Sequence, residues 1–153
     1  MERLRILADY QFGYPAGDIL ITDEVMVAVS PGTGRIREIY GYEGLLAVLR
    51  AHDYFYSLSL KGARRLLALP FPRLRAVVKS GVVVGKSVSC RAVSMIDSEL
   101  YAGEEVIVVD RELRLLGVGR LRLAPEEIME PTCHGEAIRL RKLSDEVKEE
   151  NDA

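Results

Sequence analysis

The sequence predicts an α+β protein: a small mixed α+β domain over residues 1–72, a small β-barrel over residues 73–143 and an acidic, flexible tail over residues 144–153. Three observations predict it. Pro70 and Pro72 close the clearest helical segment of the chain and mark the domain boundary. The roughly 70 residues after them read mostly as strands with two brief helical pieces, the size and rhythm of a small barrel. Finally, 153 residues with 48% apolar and 29% charged side chains suit one globular domain or two small ones. Such a chain is too apolar and too evenly charged to be disordered.

Residues 2–12 read as a short helix or strand that stops at Gly13, before a turn at Pro15-Ala16-Gly17. Val25–Val29 and Arg35–Tyr40 are strand-like, separated by the turn-rich Ser30-Pro31-Gly32-Thr33-Gly34. Gly41-Tyr42-Glu43-Gly44 is the next turn and Leu45–Ala51 the next strand. Ser59 is placed to cap a helix over Leu60–Leu69. On that helix Lys61, Arg64 and Arg65 share one face and Leu60, Ala63 and Leu67 another. Beyond the prolines come a strand at Arg73–Lys79, a tight loop at Ser80–Gly85 and a strand at Lys86–Ile96. Glu105–Asp110 and Leu113–Leu123 pair across Arg111-Glu112. Pro125 suits the first turn of a helix over Pro125–Glu130, and Glu136–Lys142 is the last strand.

The 21 Lys and Arg and 23 Asp and Glu sum to a net charge of −2, which taken alone argues against a nucleic-acid partner. The distribution reverses that reading. Residues 144–153 hold five acids and one Lys, so the rest of the chain, with 20 bases and 18 acids, carries +2. Residues 54–96 contain no acid and eight bases: Lys61, Arg64, Arg65, Arg73, Arg75, Lys79, Lys86 and Arg91. A sign asymmetry of this size invites an anionic partner. Arg supplies 16 of the 21 bases, and its planar fork suits phosphate and base contacts. A general Arg preference of hot-adapted proteins is the alternative, in keeping with the single Gln11 and single Asn151.

Catalytic and ligand motifs are weak. Gly81-Val82-Val83-Val84-Gly85-Lys86-Ser87 has three residues between its glycines where a P-loop needs four, and a strand follows it instead of a helix. Its glycines suit a tight turn and the close approach of another backbone. Cys90, Cys133, His52 and His134 lack metal-ligand spacing, and Cys90, mid-strand among apolar neighbours, reads as inert core. His52-Asp53 is the only candidate for acid–base work, with no nucleophile motif beside it. Tyr40, Tyr42, Tyr54, Phe55 and Tyr56 suit strand packing or base stacking. Two cysteines make no disulfide scaffold, and neither a secretory leader nor an apolar run of membrane length stands in the sequence, so a cytoplasmic location is expected and no cofactor or metal is called for.

Four stretches carry a resemblance: Gly85-Lys86-Ser87-Val88, Leu100-Tyr101-Ala102-Gly103-Glu104-Glu105-Val106-Ile107-Val108-Val109-Asp110, Leu115-Leu116-Gly117-Val118-Gly119-Arg120 and Gly135-Glu136-Ala137-Ile138-Arg139. Together they resemble a PUA domain, the RNA-binding barrel named for pseudouridine synthases and archaeosine transglycosylases. In physical terms these are a turn glycine, a buried strand, and a second strand whose Gly117 and Gly119 allow tight curvature. The first half is similar to the domain that precedes PUA in archaeal tRNA-guanine transglycosylases and archaeosine synthases. That likeness rests on Ala8-Asp9-Tyr10-Gln11-Phe12-Gly13, on Thr33-Gly34-Arg35-Ile36-Arg37-Glu38-Ile39-Tyr40, on Leu49-Arg50-Ala51 and on Leu58 to Leu66. Asp53-Tyr54 departs from the Asp-Gly expected there.

The transglycosylase's catalytic barrel, with its carboxylates and zinc cysteines, has no counterpart in these residues. The resemblance therefore implies a non-catalytic RNA-binding protein, most simply a tRNA-binding subunit or accessory factor of archaeosine-type tRNA modification, acting with a separate catalytic transglycosylase chain. It implies RNA contacts at Lys79, Ser80, Gly81, Gly85, Lys86 and Ser87, with Arg139 and Arg141. The charge window adds Lys61, Arg64, Arg65 and Arg91. A ribosome- or translation-associated PUA protein, and an RNA-modifying enzyme using His52 and Asp53, are the alternatives.

Overall fold

Helix α1 (Glu2–Phe12) settles the open reading of the first segment: Leu4, Ala8 and Phe12 recur at helical spacing and are the residues it buries. The computed structural model describes residues 1–82 and 84–144 and divides into two units, 1–70 and 71–153. The expected acidic tail, from Asp145 on, lies outside the described residues. Ser144 is buried, and its N–H donates to the Leu116 carbonyl at 2.8 Å.

In the first unit, α1 is followed by a short helix α2 (Ala16–Leu20), where the sequence suggested only a turn. Its start is held by α1, since the Asp9 carboxylate accepts the Gly17 N–H at 2.7 Å. Four antiparallel strands follow in simple order: β1 (Met26–Val29), β2 (Ile36–Gly41), β3 (Gly44–Leu49) and β4 (Tyr56–Leu58). Strand β4 escaped the sequence reading because three residues are too few to show alternation. Tyr56 is its anchor. It is fully buried, its ring lies 6.3 Å from that of Phe12, and its hydroxyl donates to the Leu4 carbonyl at 3.0 Å. Burying such a ring contributes about 2–3 kcal/mol, and the hydrogen bond removes the cost of a dry hydroxyl.

Helix α3 (Leu60–Leu66) starts where expected. Ser59 Oγ accepts the Gly62 N–H at 3.1 Å and donates to the Leu46 carbonyl at 2.9 Å, so one hydroxyl caps the helix and ties it to β3. A Cβ at Gly62 would stand 2.9 Å from the Leu46 carbonyl carbon, so the helix lies on the strand backbone itself.

The second unit is a six-stranded mixed sheet in the order β6-β10-β9-β8-β5-β7. Its strands are β5 (Arg75–Val78), β6 (Ser87–Ser89), β7 (Val93–Ile96), β8 (Glu105–Val109), β9 (Leu115–Leu121) and β10 (Glu136–Leu143), with helix α4 (Pro125–Ile128) before the last. β5 and β8 pair in parallel and are buried along their whole length, which explains their unbroken apolar runs. The strand expected over Lys86–Ile96 is two strands. Ser89 Oγ accepts the Arg91 N–H and caps a single 3-10 turn, Cys90–Ala92. That turn joins β6 to β7, the two ends of the strand order, so the sheet must curl until its ends are a few residues apart. Curling brings β9 and β10 into close backbone contact. A Cβ at Gly119 would lie 2.7 Å from the Leu140 Cα, which is why glycine stands there.

Cys90 is not the inert thiol expected. It forms a disulfide with Cys133, 43 residues away, and fastens the 3-10 turn to the loop before β10. The two cysteines are distant in sequence and carry no spacing signal; strand order alone brings them together.

Candidate nucleic-acid interface

The loop between β5 and β6 carries an open basic segment among its described residues. Lys79, Ser80, Gly81, Lys86 and Ser87 are exposed. Gly81 has φ of +79°, a left-handed conformation that favours glycine, and nothing lies within 4 Å of where its Cβ would stand. The same open space surrounds Gly85. At Gly81 and Gly85 the backbone is therefore open to close approach.

Strand pairing carries β10 to this loop. Arg139 is the cross-strand partner of Ser87, and the Leu140 N–H donates to the Lys86 carbonyl at 2.8 Å. Arg139 in turn faces Arg120 on β9, and Arg120 faces Glu105 on β8. One row across four strands thus reads Ser87, Arg139, Arg120, Glu105. The Arg139 side chain is 60% exposed and its Nε lies 3.2 Å from Glu136. Arg122, 61% exposed, stands over the same Glu136 at 3.8 Å. Sequence reasoning missed Arg120 and Arg122, although the alternation Arg120-Leu121-Arg122 on a strand pairing with Arg139-Leu140-Arg141 was a usable signal.

Arg141 belongs to a different arrangement. Its guanidinium grips Glu105 with both nitrogens, at 3.2 and 2.5 Å, and Arg120 approaches the same carboxylate at 3.9 Å. The Glu105 side chain is 1% exposed beneath them. A buried carboxylate needs such a partner, and Arg141, expected among the RNA contacts, supplies it.

Arg91 follows the 3-10 turn's N-cap and is exposed. Its Nε donates to the Cys133 carbonyl at 3.2 Å and its Nη2 lies 3.2 Å from His134 Nδ1. The disulfide holds that loop in place, so the guanidinium is oriented rather than free to swing. It borders a cleft of about 610 Å³ lined by Lys79, Arg91, Ser94, Met129, Glu130 and Cys133. His134 and the disulfide's part in positioning Arg91 were not foreseen.

In the first unit, Lys61 and Arg64 are exposed on α3. Arg65 is not available with them. Its guanidinium donates to Glu43 at 2.7 Å, to Glu24 and Thr22 at 2.7 Å and to the Leu20 carbonyl at 3.1 Å. It clamps α3 to the α2–β1 connection and the β2–β3 turn. The Thr22 hydroxyl and then Arg65 hold the Glu24 carboxyl down at about 2, and Arg65 holds Glu43 below the usual carboxylate range. Helical spacing put Arg65 beside Lys61 and Arg64, and acids distant in sequence engage it in the fold.

His52 and Asp53 do come together, at 3.4 Å, but the Asp53 carboxylate is committed to the loop, accepting the Phe55 N–H at 3.0 Å and the Arg50 Nε at 3.1 Å. Among the described residues no cluster of three or more His, Cys, Asp or Glu suits a metal ion, and no helix is long and apolar enough to cross a membrane.

Comparison with known proteins identifies the two domains. Residues 2–72 match the family described as the patch-forming domain C2 of tRNA-guanine transglycosylase, and residues 75–143 match the PUA domain. The tRNA-guanine(15) transglycosylase of Methanothermobacter thermautotrophicus is 37% identical over 147 residues, and that of Thermococcus kodakarensis 37% over 127. These alignments cover 93% and 80% of the chain but 22% of either relative, so the chain spans about a fifth of their length. Among solved structures, a hypothetical protein of Pyrococcus horikoshii superimposes with a TM-score of 0.72 at 18% identity, covering 99% of this chain and 94% of that one. A conserved PUA domain protein of Thermoplasma acidophilum gives 0.65 at 16%, covering 97% and 92%.

Proposed function

The chain carries a C2 domain of the tRNA-guanine transglycosylase kind followed by a PUA domain, the pair found in the C-terminal part of its archaeal relatives, and on that premise we propose that it is a non-catalytic tRNA-binding subunit or accessory factor of archaeosine-type tRNA modification. It presents tRNA to a separate chain that carries the transglycosylase chemistry, in the cytoplasm where tRNA is matured. The observation that carries this reading is the open β5–β6 loop with Arg139 of β10 set against it. Lys79, Lys86, Arg91 and Arg139, with Lys61 and Arg64 on the first unit, bind phosphates. Ser80 and Ser87 supply hydroxyls, and Gly81 and Gly85 admit the sugar–phosphate backbone. Arg65 and Arg141 hold the fold and do not touch RNA. Recognition is by shape and backbone, as is usual for structured RNA.

The test is tRNA affinity against ionic strength. Log affinity should fall linearly with log salt, and Lys86→Glu or Arg139→Glu should flatten the slope by about 0.7–0.9 for each phosphate that the protein no longer neutralises. An affinity insensitive to salt, or unchanged in Lys86→Glu, overturns the reading. Base exchange in tRNA by the purified chain alone overturns the non-catalytic part of it.

A further inference from the structure

Two carboxylates of the second unit each stand between two arginines, and the fold treats them differently. Glu105 is 1% exposed beneath Arg141 and Arg120 and is fixed there. Glu136 is 25% exposed between Arg122 and Arg139, whose own side chains are mostly open to solvent. Each of these arginines takes one oxygen: Arg139 Nε lies 3.2 Å from Oε1 and Arg122 Nε 3.8 Å from Oε2. The longer approach is beyond hydrogen-bond reach, and exposed pairs of this kind hold weakly. Two arginines against one acid leave an excess positive charge. The exposed Lys86 adds to it, since its neighbour Ser87 is the cross-strand partner of Arg139.

The backbone departs from a regular ladder to make this cluster. On an unbroken strand Glu136 and Arg139, three residues apart, would point to opposite faces. The register shift between Glu136 and Ile138 inserts Ala137 as a bulge, so that Glu136 opposite Ser89 and Arg139 opposite Ser87 share one face. The carbonyl of the same Ala137 accepts the Arg122 N–H at 2.7 Å and brings the second arginine to the acid. A carboxylate offers two oxygens and one negative charge, and so does a phosphodiester, whose oxygens arginine forks hold in pairs. We propose that Arg122 and Arg139 form a phosphodiester subsite, which Glu136 fills in the free protein and which an RNA phosphate takes over by displacing the carboxylate. The proposal rests on the reading of the chain as a tRNA binder. It adds Arg122 to the RNA surface, carrying that surface from the β5–β6 loop across β10 to the end of β9. It also makes Glu136 a competitor, which holds affinity below what the cations alone would give.

The test is the tRNA affinity of the full chain, read by fluorescence anisotropy. Glu136→Gln keeps the shape of the side chain and removes its charge. It should tighten binding about fivefold, as expected when two exposed ion pairs no longer compete with the phosphate. A damaged fold cannot mimic that gain. Glu126→Gln removes an exposed acid of α4 and is the control for long-range charge, with a change of less than about twofold. Arg122→Ala should weaken binding about fivefold and flatten the dependence of log affinity on log salt by about 0.7–0.9. With Arg122 and Arg139 both replaced by Ala, Glu136→Gln should gain no more than the Glu126→Gln control. The subsite is overturned by a Glu136→Gln protein that binds no tighter than the control, by a gain that persists without the two arginines, or by an Arg122→Ala protein of wild-type affinity. Wild-type binding that weakens with salt and with Lys86→Glu would in each of those cases leave the tRNA reading standing. A wild type that does not bind tRNA overturns both.

Discussion

Replacing Gly119 by Ala tests whether the second unit is built on direct backbone contact between β9 and β10. The added methyl would stand 2.7 Å from the Leu140 Cα and 2.8 Å from the Arg139 carbonyl carbon. These are main-chain atoms, so no side chain can swing aside. Ordinary contact at 3.4 Å requires β10 to retreat by about 0.7 Å at Leu140 and by more at the Arg139 carbonyl oxygen, the atom nearest to the methyl. Overpacking of this kind costs about 1–3 kcal/mol, and stretching the adjoining ladder bonds adds about 1 kcal/mol each. A total near 3–4 kcal/mol lowers the melting temperature of a domain this size by roughly 12–30 °C. Differential scanning calorimetry reads the shift, with Gly85→Ala as the control. There the methyl meets open space and the melting temperature should stay within about 2 °C. Because Gly85 borders the proposed RNA surface, that control should nevertheless bind tRNA more weakly. A Gly119→Ala protein that melts within about 5 °C of wild type would show that the strands yield at little cost, and would refute the reasoning.

The remaining predictions concern side chains that the fold has claimed. Arg141→Met strips a 1% exposed carboxylate of its nearer arginine and should destabilise by about 2–3 kcal/mol in urea, the partial exposure of Arg141 softening the effect, with tRNA affinity changed less than twofold. A large drop in affinity with intact stability would return Arg141 to the RNA surface. Glu24, held at about 2 in the folded chain, makes its contribution in full above the ordinary carboxylate value of 4.5 and loses it as pH falls toward 2. The urea midpoint should therefore drop across that window, and less steeply in Glu24→Gln; an equal slope in both proteins would count against the clamp. Gln11→Ala leaves the Tyr56 N–H and carbonyl without their partner and should cost about 1–3 kcal/mol, seen as a lower melting temperature and faster amide exchange at Tyr56. Unchanged exchange would mean that water serves the edge equally well.

Much of the architecture was legible in the residues. Ser59 announced α3, Pro70 and Pro72 fall where the two units divide, and the apolar run of β8 read as a buried strand. Gly117 and Gly119 predicted tight curvature, and the backbone of β10 lies where their side chains would be. What escaped was short or non-local. β4 and the 3-10 turn at Cys90–Ala92 have three residues each, below the length at which a period can be read. The disulfide joins positions 43 residues apart that no motif connects.

The candidate site divides along the same line. Composition and order alone determined that the chain hides a basic, acid-free window inside a net charge of −2, and the resemblance to a PUA domain put a glycine-bearing loop inside that window. They could not determine which cations face solvent. Arg64 and Arg65 are neighbours in sequence, yet one is exposed and the other is spent on Glu24 and Glu43. Arg139 and Arg141 are two residues apart on one strand, yet one faces Ser87 at the surface and the other grips the buried Glu105. The reason is physical: a charge becomes structural when a carboxylate from a distant segment meets it at low solvent exposure, and only the folding of the chain brings those carboxylates within reach.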